Sequence, residues 1–180
     1  MRITHTQQQS RTLQAGFTLV ELLVIVAVIG IVSGIGLTTM ASFLQEQRLR
    51  QAAFELASYL QSARARAQRD GKICRVEIDG TSTIKPSNSS DNGCTQLPEL
   101  NLQAVSGASG LTTDSSSAGT MTFTPAGTLA FPNPFYSPMI YLRYSGASST
   151  KVQRCLYLDL VSIRIGWRNG EQGACIYTRG

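Results

Sequence analysis

A single carboxylate at the head of a long apolar run constrains this chain more than any other feature. Glu21 opens onto Leu22–Ile29, and no further charge follows until Glu46. A charge in the bilayer interior costs roughly 2.5–3.5 kcal/mol on insertion scales, so a sequence that only needed an anchor would tend to lose it. Residues 17–40 are long enough to span a bilayer, which takes about 20 apolar residues, and they are expected to do so. Gly30-x-x-x-Gly34 within this run permits close helix approach, although that spacing is common by chance in apolar helices. The flank ahead of the run carries Arg2 and Arg11 and no acid, which favours the cytoplasmic side. The chain beyond the run then lies outside the membrane. A secretory signal would place its apolar core before a small-residue cleavage site; here the core follows Gly16.

The helix is expected to continue past the membrane. From Phe43 to Asp70 there is neither proline nor glycine. Leu49, Ala52, Ala53, Leu56, Leu60, Ala63 and Ala67 recur at three- and four-residue steps and make one apolar stripe. Arg50, Ser58, Gln61 and Arg64 fall largely off it. Asp70-Gly71 marks the end, with glycine available for the left-handed cap. Such a helix would run roughly 80 Å at 1.5 Å per residue.

Beyond Gly71 the pattern turns to β. Lys72–Ile78, with Ile73, Val76 and Ile78 free to pack, and Thr81–Lys85 flank the hairpin signal Asp79-Gly80. Pro86–Pro98 reads as a polar loop holding Cys94, Leu100–Val105 as a strand, and Ser106–Gly119 as a flexible Ser/Gly/Thr loop. Thr120–Thr124 and Thr128–Phe131 flank Pro125-Ala126-Gly127, a second hairpin, and Pro132–Pro138 interrupts the chain. Met139–Tyr144, Val152–Leu160 and Val161–Trp167 read as strands. Asn169-Gly170 begins a turn, and Ala174–Tyr177 pairs back as an edge strand. The expected fold class is α+β: a long N-terminal helix packed on an antiparallel β head, with residues 1–16 a leader, 17–40 the membrane segment and 41–180 the head.

The formal charge is +5, and loss of Arg2 and Arg11 with the leader would leave fourteen bases against eleven acids, about +3. Four cysteines, Cys74, Cys94, Cys155 and Cys175, suit disulfides in an exported chain and allow three connectivities. Cys74–Cys94 and Cys155–Cys175 are the expected pairs, because each brackets a local excursion; crossed pairs would tie distant strands. No Cys-x-x-Cys site is present, and the one histidine, His5, lies in the leader. The mature chain then has no imidazole for Ser-His or Cys-His nucleophiles or for zinc. The expectation is no enzyme activity, no catalytic residue, no metal and no cofactor.

The block Gly16-Phe17-Thr18-Leu19-Val20-Glu21 resembles the processing site of type IV prepilins and type II secretion pseudopilins. The resemblance implies cutting between Gly16 and Phe17 by prepilin peptidase and methylation of the Phe17 amine. It also implies filament assembly with other pilins, in which Glu21 neutralises that amine on a neighbour. Three further segments resemble the GspH/FimT branch of minor pilins and pseudopilins: Leu49–Leu60 with Ala63–Ala67, Met121–Gly127 with its Phe-x-Pro-x-Gly hairpin, and Arg154–Gly166.

The expected function is therefore a minor pilin or pseudopilin subunit in a type IV pilus or a type II secretion pseudopilus. Its place is the inner membrane, single-pass, with the N-terminus cytoplasmic and lipid around the apolar helix. The alternative is a pilus-tip receptor for DNA in natural transformation. Some members of the branch bind DNA through a Gly-Arg-x-Arg motif. Here that stretch reads Val161-Ser162-Ile163-Arg164 or, shifted, Gly166-Trp167-Arg168. Arg164 and Arg168 are the candidate DNA contacts, with Trp167 available for stacking, and otherwise both arginines are solvated strand and turn residues. From Arg143 to the end, six bases face two acids, the one charge asymmetry that favours DNA.

Overall fold

The computed structural model describes residues 17–78, 80–107, 110–115, 119–130, 139–144, 152–169 and 174–177. The leader with Gly16, Asp79 of the first turn, Pro132–Pro138 and Gly170 lie outside the described residues. The chain divides into two compact units, Met1–Ala41 and Ser42–Gly180.

In the first unit the helix α1 (Leu19–Asp70) begins. Its large apolar side chains from Leu19 to Val32 are exposed throughout. Among the described residues no helix is long and apolar enough to cross a membrane.

The second unit is built on the remainder of α1. Leu49, Ala52, Ala53, Leu56, Leu60, Ala63 and Ala67, the stripe read from the sequence, are all buried, joined by Ala57 and Tyr59. Five alanines in that face bring the helix backbone close to whatever packs on it. The other faces are tied by polar contacts at intervals along the helix. Tyr144 Oη donates to Gln45 O at 3.2 Å, Gln51 Nε2 to Val105 O at 3.3 Å and Gln68 Nε2 to Ala126 O at 3.4 Å. Arg64 donates to Val161 O. Gly71, at φ 62°, takes the left-handed turn that ends the helix.

Two five-stranded antiparallel sheets follow. The first contains β1 (Cys74–Ile78), β2 (Thr83–Pro86), β3 (Leu100–Asn101), β5 (Thr120–Phe123) and β6 (Leu129–Ala130), in the order β3-β2-β1-β5-β6. The second contains β4 (Leu111–Ser115), β7 (Met139–Tyr144), β8 (Val152–Leu158), β9 (Ile163–Asn169) and β10 (Ile176–Tyr177), in the order β10-β9-β8-β7-β4. Both hairpins read from the sequence form: β1 pairs β2 with Glu77 opposite Lys85, and β5 pairs β6 with Phe123 opposite Leu129. Gly80 and Gly127 supply the positive φ their turns need. Inward side chains of both sheets, among them Val76, Ile84, Met121 and Phe123 from the first and Leu111, Ile140, Leu142, Leu156 and Leu158 from the second, share one core with the helix stripe.

Four local expectations are corrected. Strand alternation buries Cys74, Val76 and Ile78 on β1, so Ile73, of the opposite parity to Val76, precedes the strand and is only half-buried. Leu100–Val105 is not one strand: it pairs for two residues and then coils into the short helix α2 (Leu102–Ser106). Asn101 caps that helix by accepting from Ala104 N, and Gly107 closes it in the left-handed region. Ser106–Gly119 is not all loop. Leu111–Ser115 is the edge strand β4, zipped to β7 over five residue pairs, with Leu111 and Thr113 buried. The last long strand also starts later than expected, at Ile163, after a turn in which Asp159 N donates to Ser162 O at 2.8 Å.

The structure joins Cys74 to Cys94 and Cys155 to Cys175, with Cα separations of 5.0 and 6.4 Å. The second bridge connects β8 to the segment leading into β10, and β9 lies between them. It passes over Gly166. A Cβ there would stand 2.8 Å from Cys175 Sγ and 2.6 Å from Ile176 O, so only glycine leaves room for the crossing.

Candidate functional site

The start of α1 is built around Thr18. Its Oγ1 accepts from Glu21 N at 3.3 Å, and its carbonyl accepts from Leu22 N at 3.2 Å. Thr18 is thus the N-cap and Glu21 the third helical residue, the Thr-x-x-Glu order of a capping box. The Thr18-x-x-Glu21 spacing displays this role in the sequence itself. Glu21 also sits where the helix dipole favours an acid. Phe17, immediately ahead of the cap, is 74% exposed. The structure therefore brings Phe17 and Glu21 to one helix end, while Gly16 lies outside the described residues.

On the head, a groove of about 880 Å³ runs between α1 and β9. Phe54, Ala57, Ile163, Ile165 and Trp167 supply apolar wall, and Glu46, Arg50, Arg154 and Arg164 supply charge. Arg50 lies 5.7 Å from the Phe54 ring centroid. Arg154 is largely buried and donates to Glu46 at 2.8 Å.

The two candidate DNA-contact arginines differ in setting. Alternation along β9 places Arg164, Gly166 and Arg168 on one sheet face and Ile163, Ile165 and Trp167 on the other. Arg164 is exposed. Arg168 is buried rather than solvated: its Nε donates to Gln153 Oε1 at 2.9 Å, and its guanidinium lies 3.7 Å from the Tyr141 ring centroid. Trp167 is half-buried on the face opposite Arg168, and it lines the groove together with Arg164. Nearby, the Tyr157 and Tyr177 rings lie 5.6 Å apart, and burial raises the Tyr177 hydroxyl's pKa.

Among the described residues no group of His, Cys, Asp or Glu could hold a metal ion. A capped helix with an exposed apolar start, feeding a two-sheet head stapled by disulfides, defines a pilin-like subunit. The chain matches the prokaryotic N-terminal methylation motif over residues 11–37 and type II transport protein GspH over residues 52–159. It belongs to the GspH family of minor pilins and pseudopilins, and that membership implies anchoring in the inner membrane. The crystal structure of the type IV minor pilin FimU of Pseudomonas aeruginosa has a similar fold: TM-score 0.54 at 21% identity, over 73% of this chain and 98% of that one. A second crystal form of the same pilin gives 0.50 at 20% identity, over 69% and 98%. No curated protein matches the chain.

Proposed function

We infer that this chain is a minor subunit of a type IV pilus or type II secretion pseudopilus, made as a precursor and cut between Gly16 and Phe17. The Phe17 amine is then methylated. Residues 17–40 hold the subunit in the inner membrane as a single pass, N-terminus cytoplasmic and head outside, until neighbouring pilins take it up. In the filament Glu21 of one subunit pairs with the Phe17 amine of another. An ion pair in low dielectric is far stronger than in water, so the pair sets axial register as well as offsetting the charge cost.

The observation that carries this reading is the exposed apolar start of α1. Twelve large apolar residues between Phe17 and Val32 are uncovered. Full burial of such side chains contributes roughly 1.5–3 kcal/mol each. Even half of that outweighs the roughly 3 kcal/mol penalty of Glu21 several times over. Bilayer, and then neighbouring helices, are the surroundings that fit.

Intact-mass analysis of membrane-extracted protein tests the processing: a chain starting at methylated Phe17 is expected, and retention of Met1–Gly16 in cells that hold the peptidase refutes it. Glu21→Val is expected to insert in the membrane at least as well and to enter filaments poorly. Normal assembly of that variant would refute the pairing. DNA capture is the second reading. Its support is the basic C-terminal stretch and exposed Arg164, but Arg168 is engaged within the sheet. The soluble head is expected to lose any DNA binding near physiological salt, as phosphate contacts do.

A further inference from the structure

One flank of the head carries a recess and, at the turn leading into the strand that lines it, a projection of matching chemistry. The recess is the groove between α1 and β9, walled by Phe54, Ala57, Ile165 and Trp167 and rimmed by Arg50 and Arg154. Phe54 is 52% exposed although it stands on the helix that anchors the core. Arg154 holds a buried Nε with no hydrogen-bond partner among the described residues. The one acid on the lining, Glu46, is already bound to Arg154. Apolar wall with surplus positive charge fits an apolar side chain next to a carboxylate.

The chain itself presents that combination in Asp159-Leu160-Val161, the turn between β8 and β9. Leu160 is 52% and Val161 59% exposed. The turn is held from several directions. Asp159 Oδ1 accepts from Leu160 N at 2.8 Å, Leu160 O accepts from Leu129 N at 3.1 Å, and Val161 O accepts from Arg64. A projection fixed in advance loses little freedom on docking.

We propose that this turn of one copy docks in the recess of a second copy, with Leu160 and Val161 against Phe54 and Asp159 toward Arg50 and Arg154. The contact rests on the filament-subunit reading above. It is small, and it needs the high effective concentration that two chains anchored in one membrane give each other.

The test uses full-length chains with two different tags, co-expressed in cells that carry the peptidase and filament machinery. One chain carries Phe54→Cys, the other Val161→Cys, and membranes are treated with a mild oxidant. A disulfide-linked dimer bearing both tags is expected. Adding Asp159→Arg to the Val161→Cys chain, or Arg50→Asp to the Phe54→Cys chain, lowers its yield about tenfold. Adding both restores it, because the charges are then exchanged across the contact. Retention of Cys74–Cys94 and Cys155–Cys175 in each variant verifies the fold. Absence of the mixed-tag product, or a yield indifferent to the charge changes, overturns the proposal. Sheared filaments are probed in parallel for the unsubstituted chain. No linking while the chain is present in filaments refutes the second-copy contact and leaves the subunit reading standing, with a different subunit in the recess. Linking without entry into filaments supports the contact and refutes the subunit reading.

Discussion

Gly166→Ala tests whether the Cys155–Cys175 bridge depends on a missing side chain in the strand beneath it. The added Cβ would meet Cys175 Sγ at 2.8 Å, Tyr177 Cδ1 at 2.9 Å and the Ile176 carbonyl at 2.6 Å. The Tyr177 ring can give; Cys175 Sγ is held in the bridge, and the carbonyl cannot move unless β10 moves. But β10 is pinned, paired to β9 at Ile176–Trp167 and Tyr177–Gly166 and bridged to β8. Overpacking of this kind costs roughly 1–3 kcal/mol. The bridge itself closes a separation of 20 residues, worth about 3 kcal/mol in the chain-entropy model. Trp167, the one tryptophan of the chain, sits beside the substitution and pairs with Ile176, so its fluorescence reports the region directly. Urea unfolding followed at Trp167 is the assay, run on the parent, Gly166→Ala, Cys155→Ser/Cys175→Ser, and all three changes together. Without the bridge β10 can slide away from the new methyl, so Gly166→Ala is expected to cost markedly less in that background. A coupling above roughly 0.5 kcal/mol is the expected signature of contacting sites. Additive costs, or a Gly166→Ala variant as stable as the parent, would refute the argument.

Three further outcomes follow from particular contacts. Arg75 donates to Asp91 at 2.6 Å and, with Ser89, holds its pKa down to about 2 from 3.8; the folded value is depressed, so the contribution is present above about pH 4 and lost as pH falls toward about 2. Thermal unfolding across that window should show the parent's advantage over Asp91→Asn disappearing. The Tyr59 hydroxyl is buried with no partner among the described residues, and burial, then Glu99, raises its pKa; Tyr59→Phe is expected to leave stability unchanged or raise it by about 1–2 kcal/mol in urea. Arg168→Ala is expected to cost roughly 1–3 kcal/mol, because it uncovers Tyr141 and strips Gln153 of its donor, while exposed Arg164→Ala stays within about 0.5 kcal/mol.

What could be read from the sequence was whatever local spacing encodes. The buried face of α1 is a 3.6-residue pattern of Leu and Ala, and Gly71, Gly80 and Gly127 mark their turns by conformational need. The methylation-motif block is likewise a contiguous word. Features that depend on distant partners were not legible. Leu111-Thr112-Thr113 looks like loop by composition, because an edge strand with few apolar residues shows little alternation; its pairing with β7 supplies the missing signal. Asn101 and Gly107 cap α2, but a helix of five residues is too short to show its period, so Leu100–Val105 reads as a strand. Arg168 reads as a surface charge on its own strand; Gln153 and Tyr141, which bury it, stand on two others. Glu21 stands out by its charge, which masks the cap that Thr18, three residues earlier, supplies.

The position of β1 bears on how the chain beyond α1 resists tension. The helix leads through Gly71 into β1, the central strand of its sheet, with β2 along one edge and β5 along the other. The first residue of that strand, Cys74, is bonded to Cys94. A pull that reaches β1 along the chain therefore meets two rows of hydrogen bonds and a covalent cross-link. Both rows must give before the strand leaves the sheet, whereas a strand at the edge is held by one row. Tension on α1 meets the buried face of the helix first, and β1 with its cross-link only after that packing gives.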